Sequence, residues 1–75
     1  MTKKDYVQIA SAIGQVMADI MNSGDKASIP MHNTCWFVAS NLETRFSKDN
    51  PLFNKNKFED LIREKADEYN EKLAG

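Results

Sequence analysis

Few side chains in this sequence have chemistry to offer, and their spacing limits what it could be. His32 and Cys35 lie three residues apart, which on a helix places them on one face. A cysteine nucleophile needs such a base, and the base needs a third group to orient it. Cys35, however, leads an apolar stripe in which a buried structural thiol is the ordinary occupant. The sequence has no glycine-rich phosphate loop, no metal-ligand spacing and no carboxylate pair at a plausible cleft. One histidine and one cysteine do not complete a four-ligand zinc site. No catalytic residue, metal or cofactor is therefore expected, and the protein is expected not to be an enzyme.

Two other groups suit recognition. Lys55 and Lys57 stand where a third helix should start, and free helix amides beside two lysines could hold a phosphate. The plainer alternative is that Asn54 satisfies those amides and the lysines are only solvated. Trp36 and Phe37 form the second group. Phe37 falls nearly opposite the apolar stripe of its own helix, among Asn41, Thr44 and Lys48, and exposed aromatics are common anchors of protein contacts. Coverage of Phe37 by the 23–31 connection is the competing reading. Trp36, Phe37, Lys55 and Lys57 are the candidate partner-binding residues. The short 50–53 connection brings the end of one helix near the start of the next, so the four are expected to bound one extended surface.

The elements that must position these groups follow from periodicity. Thr2 and Asp5 have the spacing of a helix capping box. From there Ile9, Ile13, Val16 and Ile20 fall within about 60° of arc and predict a core stripe. Asn22-Ser23-Gly24-Asp25 supplies the stop, with Gly24 suited to a left-handed turn. Ile29 precedes Pro30 and is expected to be extended, so the second helix should begin near His32 with Asn33 as its N-cap. Cys35, Val38, Ala39, Leu42 and Phe46 are its predicted core stripe, and Asn50-Pro51 ends it. The third helix begins at Asn54, with Phe53 and Phe58 in the positions of a hydrophobic staple. Its stripe runs Phe58, Leu61, Ile62, Ala66, Tyr69 and Leu73. No segment alternates as a strand. The fold class is all-α, a small three-helix bundle occupying residues 1–75 as one domain.

Composition narrows the partners. The 75 residues hold 10 Lys+Arg against 11 Asp+Glu, for a net charge of -1. Nothing here pulls the chain globally toward nucleic acid or anionic lipid. The last helix carries six acidic and three basic residues from Glu59 onward, too mixed for a polyanion mimic. No apolar run reaches the roughly 18 residues of a membrane span, and no signal peptide is visible, so a cytoplasmic location without membrane contact is expected. A chain this short buries only about 60% of its unfolded surface and is marginal alone. Its single cysteine excludes an internal disulfide, which leaves helix packing or oligomerisation as the means of support. Helix one carries a second line, Val7, Ala10, Gly14, Ala18 and Met21, about 130° from the first. Its small residues allow close approach of another helix. This line is the candidate interface of a homo-oligomer.

Three clusters stand in a distinctive order. They are Met1-Thr2-Lys3-Lys4-Asp5-Tyr6 with Ile9-Ala10, then Trp36 with Ala39 and Leu42, then Asn50-Pro51-x-Phe53-Asn54-x-x-x-Phe58. In this order the chain resembles a group of short, uncharacterised proteins of tailed phages and prophages. There the last motif usually reads Asn-Pro-x-Phe-Asp, followed by basic residues and a second Phe. Asn54 replaces that Asp and remains a competent N-cap. The chain also runs on past Phe58 with an acidic helix, where such proteins often stop sooner. The resemblance implies a phage accessory protein of the host cytoplasm and carries no activity with it.

The functional expectation is a non-enzymatic protein that binds a host or phage protein, with inhibition of host defence as one such use. The alternative is a small DNA- or RNA-associated regulator; a structural or virion-assembly protein is a third class. The cap can be tested directly: Asn54→Ala is expected to lower stability by about 1 kcal/mol. Urea denaturation followed by circular dichroism measures this, and an unchanged midpoint would mean that residue 54 caps nothing.

Overall fold

In the computed structural model, residues 2–24 and 26–74 are described. Met1 of the N-terminal motif, Asp25 of the expected stop signal and the side chain of Leu73 lie outside the described residues. Three helices account for nearly all the rest: α1 (Lys3–Asn22), α2 (Ser28–Asp49) and α3 (Lys55–Ala74). The fold is an all-α three-helix bundle, with no strand among the described residues.

Local signals act largely as the sequence predicts. The Thr2 hydroxyl accepts from the Asp5 amide, and an Asp5 carboxylate oxygen accepts from the Thr2 amide at 2.9 Å, completing the capping box. Those bonds hold the Asp5 carboxyl below its ordinary pKa. Gly24 takes φ of 70°, the left-handed conformation that ends α1 at low steric cost. The Asn54 side-chain oxygen accepts from the Lys57 amide at 3.0 Å, and the Phe53 and Phe58 rings meet at 5.6 Å. The staple and cap of α3 are thus present.

The start of α2 differs from expectation. Ile29 is helical, and Asn33 lies inside the helix rather than capping it. The first helical bond runs from the Met31 amide to the Ala27 carbonyl at 3.0 Å. Pro30 therefore sits in the first turn, where no intrahelical donor is needed and its fixed φ suits the helix. That compatibility outweighs the pre-proline bias at Ile29.

Packing is uneven. α1 and α3 make the most extensive contact, α1 and α2 less, and α2 and α3 least. An aromatic cluster closes one end: Tyr6 meets Phe46 at 5.1 Å and Phe53 at 5.3 Å, and Phe46 meets Phe58 at 5.6 Å. Ala10, Met17, Ala39, Phe46, Phe58 and Ile62 form the buried core.

Two stripe assignments are corrected by this packing. Ala10, Gly14 and Ala18 are buried within the chain. A Cβ on Gly14 would lie 2.8 Å from both the Ala66 amide nitrogen and the Ile62 carbonyl oxygen of α3. The small-residue line is thus filled by α3 and is not open to a second copy. Of the remaining two residues in that line, Val7 is half-buried and Met21 is exposed. Conversely, Val16 and Val38, expected in the core, are 50% and 51% exposed. Helix α1 turns its small-residue side to α3, which leaves Val16 half exposed while Ile20 stays buried and Ile9 and Ile13 rest on the core.

Gly14→Ala checks this contact. Helix propensity alone would favour alanine by up to about 1 kcal/mol. Overpacking against fixed backbone atoms is expected to reverse the sign, with a net loss of about 1–3 kcal/mol. Thermal denaturation of an equally or more stable variant would mean that the helices are not in such close approach.

Candidate functional site

The residues singled out for recognition do not converge. Trp36 is half-buried and faces α3, where the Arg63 guanidinium lies 4.9 Å from its ring centroid. His32 sets its ring edge against Trp36, with centroids 6.4 Å apart. His32, Trp36 and Arg63 line a shallow groove across the three helices together with Met21, Asp67 and Asn70. Asn22 supports its floor by donating to the Ala18 carbonyl at 2.8 Å and to the Asn70 side chain of α3. Arg63 and Asp67, one turn apart on α3, give that wall of the groove one charge of each sign.

Phe37, one residue on, points about 100° away along the helix. It is 73% exposed, and the 23–31 connection does not cover it. One and two turns along the same side of α2 lie Ser40 and Thr44, followed a turn later by Ser47 and Lys48. These residues line a second depression with Lys55 of α3. Phe37 thus stands above a row of hydroxyls that ends in two lysines.

Lys55 and Lys57 separate as well. The Lys55 ammonium turns to α2 and stands 3.9 Å from a Glu43 carboxylate oxygen. Lys57 lies toward α1, in a depression it shares with Lys3, Tyr6 and Leu52. Its amide is already bound by Asn54. The two lysines therefore do not close around one phosphate, and the four candidate residues do not bound a single surface.

Glu43 was not anticipated. Only 2% of it is exposed, and neither carboxylate oxygen meets a hydrogen-bond donor among the described residues. Desolvation pushes its pKa up, and the nearby Glu59 carboxylate adds to this, while Lys55 opposes it. The sequence did contain a signal, since Ala39, Glu43 and Phe46 share core spacing. Residue type obscured it, because carboxylates are seldom buried.

Burial pushes the Cys35 thiol above its ordinary pKa, away from the thiolate needed for nucleophilic attack. Among the described residues, no group of three or more His, Cys, Asp or Glu side chains could hold a metal ion. No helix among them is long and apolar enough to cross a membrane. The chain matches no protein-family model, no curated protein and no solved structure.

Glu43→Gln tests the buried carboxylate. An amide keeps the shape, carries no charge and can donate to Glu59. The variant is expected to be more stable than the parent at neutral pH, by about 1–3 kcal/mol. A raised carboxyl pKa favours the protonated folded state, so the parent's deficit is complete above that pKa. It shrinks as pH falls toward the ordinary range for Glu. Parallel urea titrations at neutral and mildly acidic pH measure the gap. A gap that widens on acidification would contradict the assignment.

Proposed function

We propose that this is a non-enzymatic binding protein that engages a larger protein through the solvent face of α2. The observation that carries the reading is Phe37: a large aromatic ring held 73% exposed on a helix, amid polar side chains. Burying this ring in a partner would return desolvation free energy, and aromatic rings are frequent anchors of protein contacts. The hydroxyl row below it offers hydrogen bonds, and Lys48 and Lys55 add positive charge at its end. The complementary surface is an apolar socket with an acidic group about two to three helical turns away, at about 5.4 Å per turn. The resemblance to phage proteins implies a host or phage protein in that role, with blockage of a defence component as a plain use for an 8.5 kDa binder. A net charge of -1 and the acidic outer side of α3 speak against nucleic acid.

Immobilised parent protein, Phe37→Ala and Leu52→Ala can be compared for capture of proteins from a bacterial lysate. Leu52 is a fair control because it is 89% exposed yet lies in the α2–α3 connection. Phe37→Ala is expected to lose at least about tenfold in retention of the captured protein, as anchors of this kind do. Leu52→Ala should retain it. Equal capture by parent and Phe37→Ala, or a salt-dependent shift of generic DNA with no protein capture, would overturn the reading.

A further inference from the structure

We propose that the seam between α2 and α3 is a proton-dependent joint: it is closed while the Glu43 carboxyl holds a proton toward Glu59, and α2 swings off α3 when that proton leaves to solvent. Glu43 takes the middle of the inward line of α2, between Ala39 and Phe46, and all three are buried. Both of its carboxyl oxygens are enclosed, and none of the described residues donates to either. The charged groups around it are few. From α3 come Lys55, whose ammonium stays 3.9 Å away on a mostly exposed side chain, and the Glu59 carboxylate beside it. On α2 itself, Lys48 stands at the rim of the depression that Glu43 shares with Ser40, Thr44 and Ser47. The Thr44 hydroxyl is no help, because it donates to the Ser40 carbonyl at 3.1 Å. From α1 comes no charge at all, since no residue between Asp5 and Asp19 carries one. The titratable group of α1 at this end is the Tyr6 phenol, whose ring packs on Phe46.

With its proton, Glu43 donates to the Glu59 carboxylate, and Lys55 balances the one remaining negative charge. Without it, two carboxylates face each other beside a single ammonium, and the Glu43 oxygens have neither water nor a donor. Desolvation and Glu59 both resist that state, which is why the Glu43 carboxyl titrates above the ordinary range for Glu. Water reaches Glu43 when α2 moves off α3, and this is the movement the fold resists least. The α2–α3 contact is the thinnest of the three, whereas Gly14 holds α1 and α3 in backbone contact. The pivot is the aromatic end, where Tyr6, Phe53 and Phe58 grip Phe46. Glu43 lies about one turn from that pivot and Trp36 about three turns from it. In a rigid helix, a small displacement at Glu43 therefore becomes about threefold larger at Trp36, where the Arg63 guanidinium stacks across the seam.

Trp36 is the sole tryptophan, so its fluorescence reports the joint. As pH rises through the range above that of an ordinary Glu carboxyl, the parent's emission is expected to shift to the red and its quenching by acrylamide to increase. Far-UV circular dichroism should stay constant over the same step. Glu43→Gln supplies an amide donor to Glu59 at every pH and should abolish the step. Glu59→Gln gives ionised Glu43 a donor and removes the second negative charge, so it should move the step to lower pH. His32 meets the Trp36 ring at 6.4 Å, and imidazoles change charge near neutrality. His32→Gln is therefore the control and should keep the step. A parent without a step, a step that persists in Glu43→Gln, or one that vanishes in His32→Gln overturns the proposal. Loss of helical circular dichroism together with the step also overturns it, since the whole chain is then unfolding. If Glu43→Gln does not fold, Glu59→Gln decides, and an unchanged midpoint there refutes the joint. The joint belongs to the free chain, so these outcomes are separate from protein capture through Phe37.

Discussion

At Gly14 the backbone of α1 lies so close to α3 that not even a methyl group fits between Gly14 and the peptide atoms of Ile62 and Ala66. Much of the remaining architecture follows from that approach. Two helices in near backbone contact gain dispersion along their whole length, but they bury little side-chain volume. Ala10, Gly14 and Ala18 contribute almost no apolar bulk to the core. Ile62 is the one large side chain fully buried among the described residues. The close pair therefore has to be supported at its end, where Tyr6, Phe46, Phe53 and Phe58 supply the missing volume and tie in α2.

The same approach explains which parts of the fold were legible in the sequence. Signals that act within a few residues were read correctly: the Thr2–Asp5 box, Gly24, and the Asn54 cap with its Phe53–Phe58 staple. Their physics is local and needs no knowledge of neighbours. The start of α2 was misread because two local rules conflict at Ile29-Pro30, and only the completed turn decides between them. The stripes were right for Ile20, Ala39, Phe46, Phe58 and Ile62, which are buried, but they missed the full buried arc of α1 and placed Val16 and Val38 too deep, for a different reason. Hydrophobicity ranks large residues as core, so Ile9, Ile13, Val16 and Ile20 were chosen over Ala10, Gly14 and Ala18. Close helix packing selects small residues, and α1 has two neighbours rather than one. Its buried arc is therefore wider than either stripe and centred between them.

Glu43 shows how tertiary context overrides residue type. A carboxylate at a core position, with Glu59 near it and Lys55 at 3.9 Å, is an imperfectly compensated charge. It lies where α2 meets α3, the weakest helix contact in the molecule. The other links there are the Arg63 guanidinium over Trp36 and, at the aromatic end, the ring contact of Phe46 with Phe58. Charge and π interactions thus join these two helices where apolar packing is thin. Such a seam adds little stability, but it orients α2 because each contact has a preferred geometry.

That orientation matters because α2 shows two different sides to solvent. Phe37 and Val38 are adjacent in sequence and diverge by about 100° on the helix. One stands over a polar row, and the other is half exposed on the side of Cys35 and Leu42. A surface meant for one partner would gather its apolar residues on one side. Here Asn41 and Thr34 lie between Phe37 and Val38 around the helix, so a partner that seats on Phe37 meets hydroxyls and amides beside the ring rather than a broad apolar face.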